Sequence, residues 1–377
     1  VSTVQTLAAY LDDEITAMPN LVTVGAGGTA STVAGIPFFS ADNSIYTHDV
    51  SGTDDTAQHN AAYGIGAMDA ITTGDQNSAL GYNALSANNT GAQNTAMGRL
   101  SLEANTSGDN NTAYGSSTLS ANSTADDNTA IGKGSMQANT TGAANTAVGK
   151  DSLKANTTGT RNLAIGYQAY TASDTENDNL AIGYQAMTTN TAGGVNNLAL
   201  GNYALDALTS GDDNIAIGYD AGSSINTGSA NTTVGVYSLD ATTSGDSNTA
   251  LGYFALSANT TASSNTGIGR SALGDNTTGA NNVAVGALAL QVNTTGASNV
   301  AVGALALDAN TTASFNVGVG SGALGGNTTG AHNIGIGADA LIANTTGTRN
   351  IAIGSNAYNS SDTENDNIAI GFNAMTT

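Results

Sequence analysis

The chain of 377 residues contains no cysteine and no tryptophan, and it has only two prolines, Pro19 and Pro37. Without cysteine the chain can form neither disulfide bonds nor thiolate metal sites. Residues 38–377 lack proline altogether. This absence is expected where every segment donates backbone hydrogen bonds to a ladder, because proline has no N–H group. A disordered linker has no such requirement, so the composition favours an ordered chain.

Basic residues are scarce as well, with seven Lys and Arg against 29 Asp and Glu, for a formal net charge of −22. Binding to nucleic acid is not expected, because phosphate contacts require a stripe of Lys and Arg. Attraction to an anionic membrane is disfavoured for the same reason. No window of about 18 residues is apolar throughout, so we expect no membrane insertion.

A 17-residue repeat fills most of the chain. Glycine recurs every 17 residues from Gly64 to Gly183 and again from Gly201 to Gly371, and a single inserted residue between Ala192 and Val195 separates the two runs. With this glycine as position 0, Asn stands at −4 in all 19 copies, a small residue at −2 and an apolar residue at −1. Position −3 is mostly Thr or aliphatic, and position +4 is Leu, Met or Tyr except at Gly222.

These columns predict an all-β fold, a parallel β-solenoid (β-roll) with one 17-residue coil per repeat. Residues −3 and −1 would point to one face of a strand and −2 to the other. Seventeen residues are too few for two helices and a turn, and the Asn, Gly and Thr content opposes helix. We expect the recurring residues to form a structural ladder, the asparagines through amide hydrogen bonds and the glycines through a positive φ or a close backbone approach. Its representatives are Asn77, Gly81, Asn145, Gly149, Asn214, Gly218, Asn299 and Gly303.

The chain divides into three predicted regions. Residues 1–19 show apolar residues in a 4-3-4-3 spacing that ends at Pro19, which predicts a short helix able to pack as a coiled coil. Residues 20–56 are expected to form a small β/turn region for attachment or capping. Residues 57–377 form about 19 coils of the solenoid. Because 154–189 returns nearly unchanged as 342–377, and the chain stops inside a coil, we expect the solenoid to continue beyond 377.

Each coil offers only three or four modest apolar side chains, which is a thin core for so much ordered backbone. The apolar columns at −1 and +4 lie on different arcs of the coil. This arrangement indicates that one column packs inside the coil and the other between chains. A closed homo-oligomer, most simply a homotrimer, would bury both columns.

The repeat core, Asn-Thr-Ala-Val-Gly at 145–149 and Asn-Ile-Ala-Ile-Gly at 350–354, resembles the head repeats of YadA-type trimeric autotransporter adhesins. Those heads are left-handed parallel β-rolls assembled as trimers. Segments 166–187 and 248–261 are similar to repeats in bacteriophage tail-fibre proteins. The resemblance implies a homotrimeric fibre located in a virion, as a tail or head fibre, or on a cell surface. The period departs from the adhesin heads, whose coils are shorter, and neither family assigns a binding residue to a position here.

Three functions follow as hypotheses. The first is the shaft of a phage tail or head fibre involved in host-surface attachment, and the second is a bacterial trimeric surface adhesin. The third is an ice-binding solenoid, suggested by ranks of threonine in the Asn-Thr-Thr arcs. We expect no enzyme, catalytic residue or cofactor, because no catalytic or phosphate-binding motif occurs. The three histidines, His48, His59 and His332, are far apart in sequence.

Two sets of residues are candidate sites. In several coils a tyrosine directly follows the repeat glycine. Aromatic rings aligned along a rod could stack on the sugars of a receptor glycan, or they could pack between subunits. These tyrosines are Tyr82, Tyr167, Tyr184, Tyr219 and Tyr253. Acidic clusters replace the Asn-Thr-Thr-Gly arc twice, and their alternating oxygens are weak candidates for Ca²⁺ ligands. Without the EF-hand spacing a solvated turn is the alternative. These residues are Asp174, Glu176 and Asp178, with their copies Asp362, Glu364 and Asp366.

Overall fold

A computed structural model describes residues 31–33, 36–41, 44–46, 56–190, 192–360 and 362–376. The helix predicted for residues 1–19 lies outside these ranges. Three short strands come first in the described chain: β1 (Ser31–Val33), β2 (Ile36–Ala41) and β3 (Ser44–Tyr46). Strands β1 and β2 pair antiparallel, as do β2 and β3. The region predicted at 20–56 thus contains two antiparallel strand pairs, and β3 pairs in parallel with the first strand of the repeats.

Nineteen three-residue strands follow in the described chain, one in each repeat, and every strand occupies positions −3 to −1. The chain divides into two compact units, residues 1–160 and 161–377. The repeat strands of the first unit are β4 (Ala61–Tyr63), β5 (Ser78–Leu80), β6 (Thr95–Met97), β7 (Thr112–Tyr114), β8 (Thr129–Ile131) and β9 (Thr146–Val148). Those of the second are β10 (Leu163–Ile165), β11 (Leu180–Ile182), β12 (Leu198–Leu200), β13 (Ile215–Ile217), β14 (Thr232–Val234), β15 (Thr249–Leu251), β16 (Thr266–Ile268), β17 (Val283–Val285), β18 (Val300–Val302), β19 (Val317–Val319), β20 (Ile334–Ile336), β21 (Ile351–Ile353) and β22 (Ile368–Ile370).

Within each unit, consecutive repeat strands pair in parallel and in register, so each residue lies beside its equivalent in the next coil. Ala79 faces Ala96 in the first unit, for example, and Ala284 faces Ala301 in the second. The prediction of an all-β parallel solenoid with 17-residue coils is therefore confirmed for the described repeats. The described residues contain no helix.

Hydrogen bonding between coils extends well beyond the short strands. The N–H groups of Gly98 and Leu100 donate to carbonyl groups of the preceding coil, at 2.8 and 2.9 Å, while those of Leu102 and Ala104 donate to the following coil, at 3.0 and 3.1 Å. Turn residues thus take part in the same ladder as strand residues. This accounts for the absence of proline from the repeats, because a proline at any of these positions would remove a donor.

The interior of each coil is narrow and lined by few columns. The strands bury only their central residue, usually alanine at −2, while −3 and −1 point outward. Behind the alanine lie the residues at +3 and +4, and Leu102, Leu239 and Leu290 at +4 are fully buried. Of the two apolar columns found in the sequence, +4 therefore fills the coil and −1 lies at its surface.

Left-handed backbone conformations close each coil, and they select the residues at +4. Positions +2, +4 and +12 have positive φ throughout the repeats, with φ of 49° at Leu290 and 52° at Leu256. Branching at Cβ is strongly disfavoured in this region, so Leu, Met and Tyr occur at +4 but Val and Ile do not. Gly222 is the exception. There the side chain of Ile225 occupies the space that a +4 side chain fills in other coils, and a Cβ on Gly222 would lie 2.9 Å from its Cδ1 atom.

We expect Leu290→Ile to lower the free energy of unfolding by about 2 kcal/mol more than Leu290→Met, although both preserve an apolar side chain. The reason is the positive φ at this residue, which a β-branched side chain opposes. Urea denaturation followed by circular dichroism measures the difference. The control is Leu251→Ile, at −1 in strand β15, which should be nearly neutral. Equal stability of the two Leu290 variants would contradict this account of the +4 column.

Candidate functional site

The asparagines at −4 link each coil to its neighbours. The side-chain oxygen of Asn77 accepts a hydrogen bond from the backbone N–H of Asn94 at 2.9 Å, and its amide nitrogen donates across the coil to the carbonyl of Gly91 at 2.9 Å. Asn214 and Asn299 have the same two kinds of partner. The amide nitrogen of Asn145 likewise donates to the carbonyl of Gly159, and its backbone N–H donates to the side-chain oxygen of Asn128. All three asparagines are fully buried. These asparagines thus satisfy backbone groups that would otherwise be buried without partners.

The ladder glycines lie where two coils approach most closely. Their φ values, between 135° and 144°, are rarely adopted by other residues, and they belong to Gly81, Gly149, Gly218 and Gly303. A Cβ on Gly81 would lie 2.5 Å from the carbonyl oxygen of Gly98 in the next coil. Both conformation and space therefore require glycine at position 0.

A second column of asparagines, at +7, is also buried, although no internal role was predicted for this polar arc. The amide nitrogen of Asn105 donates to the side-chain oxygen of Asn88 at 2.9 Å and to the carbonyl of Gly108 at 3.0 Å. The signal was present in the sequence, because Asn recurs at +7 at the same 17-residue period. What the period could not reveal is that this arc folds inward.

The adjacent threonines at +8 also bond within the stack. The hydroxyl of Thr277 donates to the carbonyl of Thr294 at 2.9 Å, and that of Thr294 donates to Thr311 at 3.0 Å. A hydroxyl held in this way does not donate to water or ice. Only the column of threonines at +9 therefore remains for the ice-binding hypothesis, so one column of hydroxyls would have to bind ice instead of two.

The acidic residues considered for calcium have separate partners in the second unit. Glu176 is 2% exposed, and its carboxylate accepts hydrogen bonds from the N–H groups of Asp174 at 2.8 Å, Thr175 at 3.0 Å and Gly193 at 3.1 Å. Asp178 instead forms a two-point ion pair with Arg161, at 2.6 and 2.7 Å, and this guanidinium lowers the pKa of the Asp178 carboxyl.

The second acidic cluster pairs in a similar way. Asp366 forms a two-point ion pair with Arg349 at 2.6 and 2.8 Å, and this pairing lowers the pKa of Asp366. Glu364 and Asp362 are exposed. Across the described ranges there is no group of three or more His, Asp or Glu side chains placed to hold a metal ion. The geometry of both clusters is that of turns braced by ion pairs.

Glu176 also explains the one-residue insertion in the repeat. It occupies +10, where the other coils have Gly or Ala except for the coil of Glu364. A Cβ on Gly279 would lie 2.2 Å from the carbonyl oxygen of Gly296, so an ordinary coil leaves little room for a side chain at this position. The coil that follows Glu176 contains the insertion, and around a Cβ on Gly193 there is no other atom within 4 Å. The insertion thus opens the space that the glutamate fills, and its new N–H group binds the carboxylate.

Seven aromatic rings lie in contact along six successive coils of the second unit. We call this set the aromatic strip: Tyr167, Tyr184, Tyr203, Tyr219, Tyr237, Tyr253 and Phe254. Neighbouring ring centroids lie 4.4–5.9 Å apart, and most pairs meet edge to face. Four of these tyrosines come from the predicted +1 column. Tyr82, the fifth, lies in the first unit, where its side chain is 49% exposed.

The other three rings come from the +2 column, which was not predicted to contribute to this site. Tyr203, Tyr237 and Phe254 stand two residues after the repeat glycine, and their positive φ turns them back toward the +1 rings. Counting from each glycine would have shown that the two columns adjoin. It would not have shown contact, because that depends on the left-handed turn.

Three carboxylates accompany the aromatic strip. Asp220 occupies +2 between Tyr203 and Tyr237, and Asp206 and Asp240 lie at +5. Burial raises the pKa of Asp206 and of Asp240 to about 6, and in both the charge of Asp220 adds to the shift. One carboxylate oxygen of Asp240 is buried without a hydrogen-bond partner. The charge of Asp220 also raises the pKa of Tyr219.

On the outer face of the strand ladder, position −1 is aliphatic, Met or Tyr in both units, whereas −3 is mostly Ser or Thr in the first unit and mostly aliphatic in the second. We call the outward side chains at −3 and −1 the sheet face. Several of its aliphatic residues in the second unit are more than a third exposed: Ile165, Leu200, Ile215, Leu251, Val302, Ile336 and Ile353. In the first unit, small residues at −3 beside large ones at −1 leave a cavity of ≈ 310 Å³ near Leu80 and Met97. Such a continuous apolar surface is unusual on an isolated solvated chain.

The histidines take no part in these features. His59 and His332 are both exposed, and the His332 ring stacks on Phe315 with a centroid separation of 5.0 Å. His48 lies outside the described residues. Among those residues, none belongs to a helix long and apolar enough to cross a bilayer.

No protein-family model matches the chain, and a search of curated proteins gives no significant match. The likeness to adhesin heads and phage fibres therefore remains one of repeat motif, and the fold is established here by the coils themselves.

The pairing of Glu176 with the insertion predicts a non-additive pair of changes. Deleting Gly193 alone should destabilise the second unit, because the buried glutamate loses its space, and Glu176→Gly alone should leave three N–H groups without their acceptor. Combining them restores an ordinary 17-residue coil, so we expect a coupling energy of at least about 1 kcal/mol in thermal or urea denaturation. Additive losses would show that the two features are unrelated.

The raised pKa values of Asp206 and Asp240 predict a pH dependence of stability. The folded chain holds these protons more tightly than an unfolded chain, whose aspartates titrate near 3.8. The stabilisation from protonation is therefore complete below about pH 4 and is lost as the pH rises through about 6. At pH 7.5 we expect Asp206→Asn with Asp240→Asn to stabilise the protein by about 1–2 kcal/mol, since both groups are half-exposed and partly screened.

Thermal unfolding at several pH values measures this effect. The advantage of the double variant should shrink as the pH falls and vanish below about pH 4, where these carboxyls are protonated in both the folded and the unfolded parent chain. Asp275→Asn, at an exposed position, is the matched control and should change stability little at either pH. A gain that stays constant with pH would contradict the assignment.

Proposed function

We propose that this chain forms the shaft of an elongated homotrimeric fibre, and that the fibre serves in attachment to a host surface as a phage tail or head fibre. The proposed role is structural and adhesive rather than enzymatic. The observation that carries it is the sheet face, an apolar surface that repeats with every coil. Parallel sheets usually have both faces covered, and here the coil interior covers only one.

A second copy of the same chain is the partner that fits this face best. The columns at −3 and −1 repeat with the coil spacing, so an identical chain alongside would bring apolar residues against it at every coil. An unrelated partner would need a surface of the same period. Three copies, rather than two, are supported by the resemblance of the repeat core to trimeric adhesin heads.

The charge distribution supports an extracellular or virion location for such a fibre. With 29 acidic and seven basic residues, the chain carries a net negative charge that repels anionic surfaces. The same charge favours solubility where many copies of the fibre lie close together. A bacterial trimeric surface adhesin is the alternative, since the same sheet face would serve in its assembly. Antibody labelling in electron microscopy distinguishes the two, because a phage fibre is found on purified particles and an adhesin on the bacterial surface.

Size-exclusion chromatography with light scattering tests the assembly. We expect a mass about three times the 37.0 kDa of one chain. Leu251→Glu with Val302→Glu places charges on the sheet face and should give monomers with unchanged circular dichroism. The control is Leu305→Glu, an exposed leucine at +2 that lies off the sheet face, and it should remain trimeric. A monomeric parent protein would contradict the fibre proposal.

A further inference from the structure

The aromatic strip is the feature of the second unit that the proposed shaft does not require. Coils elsewhere in the chain fold with Asn, Ser, Gly or Asp at +2, so a ring at this position is not needed to close the turn. A group of large aromatic residues that remain exposed on solvated turns is typical of a binding surface, since such residues contribute little to folding. Tyr184, Tyr219 and Tyr253 are each more than 40% exposed.

The arrangement of the rings presents flat surfaces along one line. Tyr203 meets Tyr184 at an interplanar angle of 72° and Tyr219 at 85°, so successive rings alternate in orientation. In an edge-to-face series, every second ring keeps a face that its neighbours do not cover. The strip therefore offers several aromatic faces at intervals set by the coil spacing of roughly 4.8 Å. An extended polymer of flat or chair-shaped units suits such a surface.

The charged residues of the coils that form the strip are all acidic, and Arg270, at +1 of the coil after Tyr253, lies just beyond them. Residues 162–269, which contain the whole strip, include nine acidic residues and neither lysine nor arginine. Asp220 stands within the strip, and Asp206 and Asp240 lie near enough that its charge acts on both. A polyanion would be repelled here, whereas a protonated amine is attracted both by the carboxylates and by the faces of the tyrosine rings.

We propose that the aromatic strip binds a linear polysaccharide whose sugars carry free, protonated amino groups. The tyrosine faces would stack on the C–H faces of the sugar rings. Asp220, with Asp206 and Asp240 beside it, would accept hydrogen bonds from the ammonium groups. Phenol hydroxyls at the edge of the strip add donors and acceptors for sugar hydroxyls. This inference rests on the second unit alone and holds whether or not the chain is trimeric.

Titration calorimetry with the unacetylated β-1,4-linked glucosamine hexasaccharide tests the proposal on the full chain at about pH 6.5. We expect binding, with Tyr219→Ala weakening the affinity about tenfold or more and Asp220→Asn weakening it about fivefold or more. Tyr82→Ala is the matched control, because Tyr82 holds the same +1 position outside the strip, and it should change the affinity less than twofold. Circular dichroism verifies that each variant keeps its fold.

Three outcomes would overturn the proposal. One is the absence of binding by the parent chain. Another is equal affinity for the fully N-acetylated hexasaccharide, which would remove the role of the amino groups. The third is that hexalysine binds as tightly as the glucosamine hexasaccharide and that Tyr219→Ala does not change the affinity. This result would show that the strip is only a charged patch that binds basic peptides. Light scattering on the same samples gives the oligomeric state, so the two proposals can fail independently. A monomer that binds the sugar would contradict the fibre proposal and leave the binding proposal intact.

Discussion

The constraint on which the rest of the structure depends is that the chain must return after 17 residues to a point one strand spacing along the stack. Only then does each backbone N–H group meet a carbonyl group of the neighbouring coil, as Gly98 donates to Leu80 and Leu102 donates to Thr118. A coil this short closes with left-handed residues at +2, +4 and +12 and with glycine at position 0. The residue preferences of these positions follow from that closure, because φ is positive at all of them.

A short coil also limits what can lie inside it. Alanine at −2 and one leucine-sized residue at +4 fill most of the apolar space, so the core alone contributes modestly. The remaining interior is polar, and the asparagines at −4 and +7 make this tolerable because each bonds to a neighbouring coil. Where the column is interrupted, the cost is visible: the oxygen of Asn190 has no partner, since the next coil has Leu208 in that place.

The sequence could predict whatever depends on period and alternation. The coil length, the strand positions and the ladder at Asn77 and Gly81 all follow from counting residues. Which segments of the coil turn inward and which turn outward could not be predicted. This depends on left-handed turns, and no residue type identifies such a turn uniquely. For this reason the sequence did not reveal the inward arc at +7 or the contact of Tyr203 with the +1 tyrosines. Glu176 and the insertion were both evident, but only the structure shows that one accommodates the other.

Comparison of the repeats with one another separates positions that shape the coil from positions that are free to do something else. Columns −4, 0 and +4 hardly vary, because hydrogen bonding, space and φ restrict them. Columns +1 and +2 vary widely, from Asn83 and Asp151 to Tyr237, and the coil closes equally well with each. Where such free columns become aromatic over six successive coils, and basic residues are absent from the same stretch, closure of the coil supplies no reason. A ligand that needs both stacking faces and negative charge does supply one.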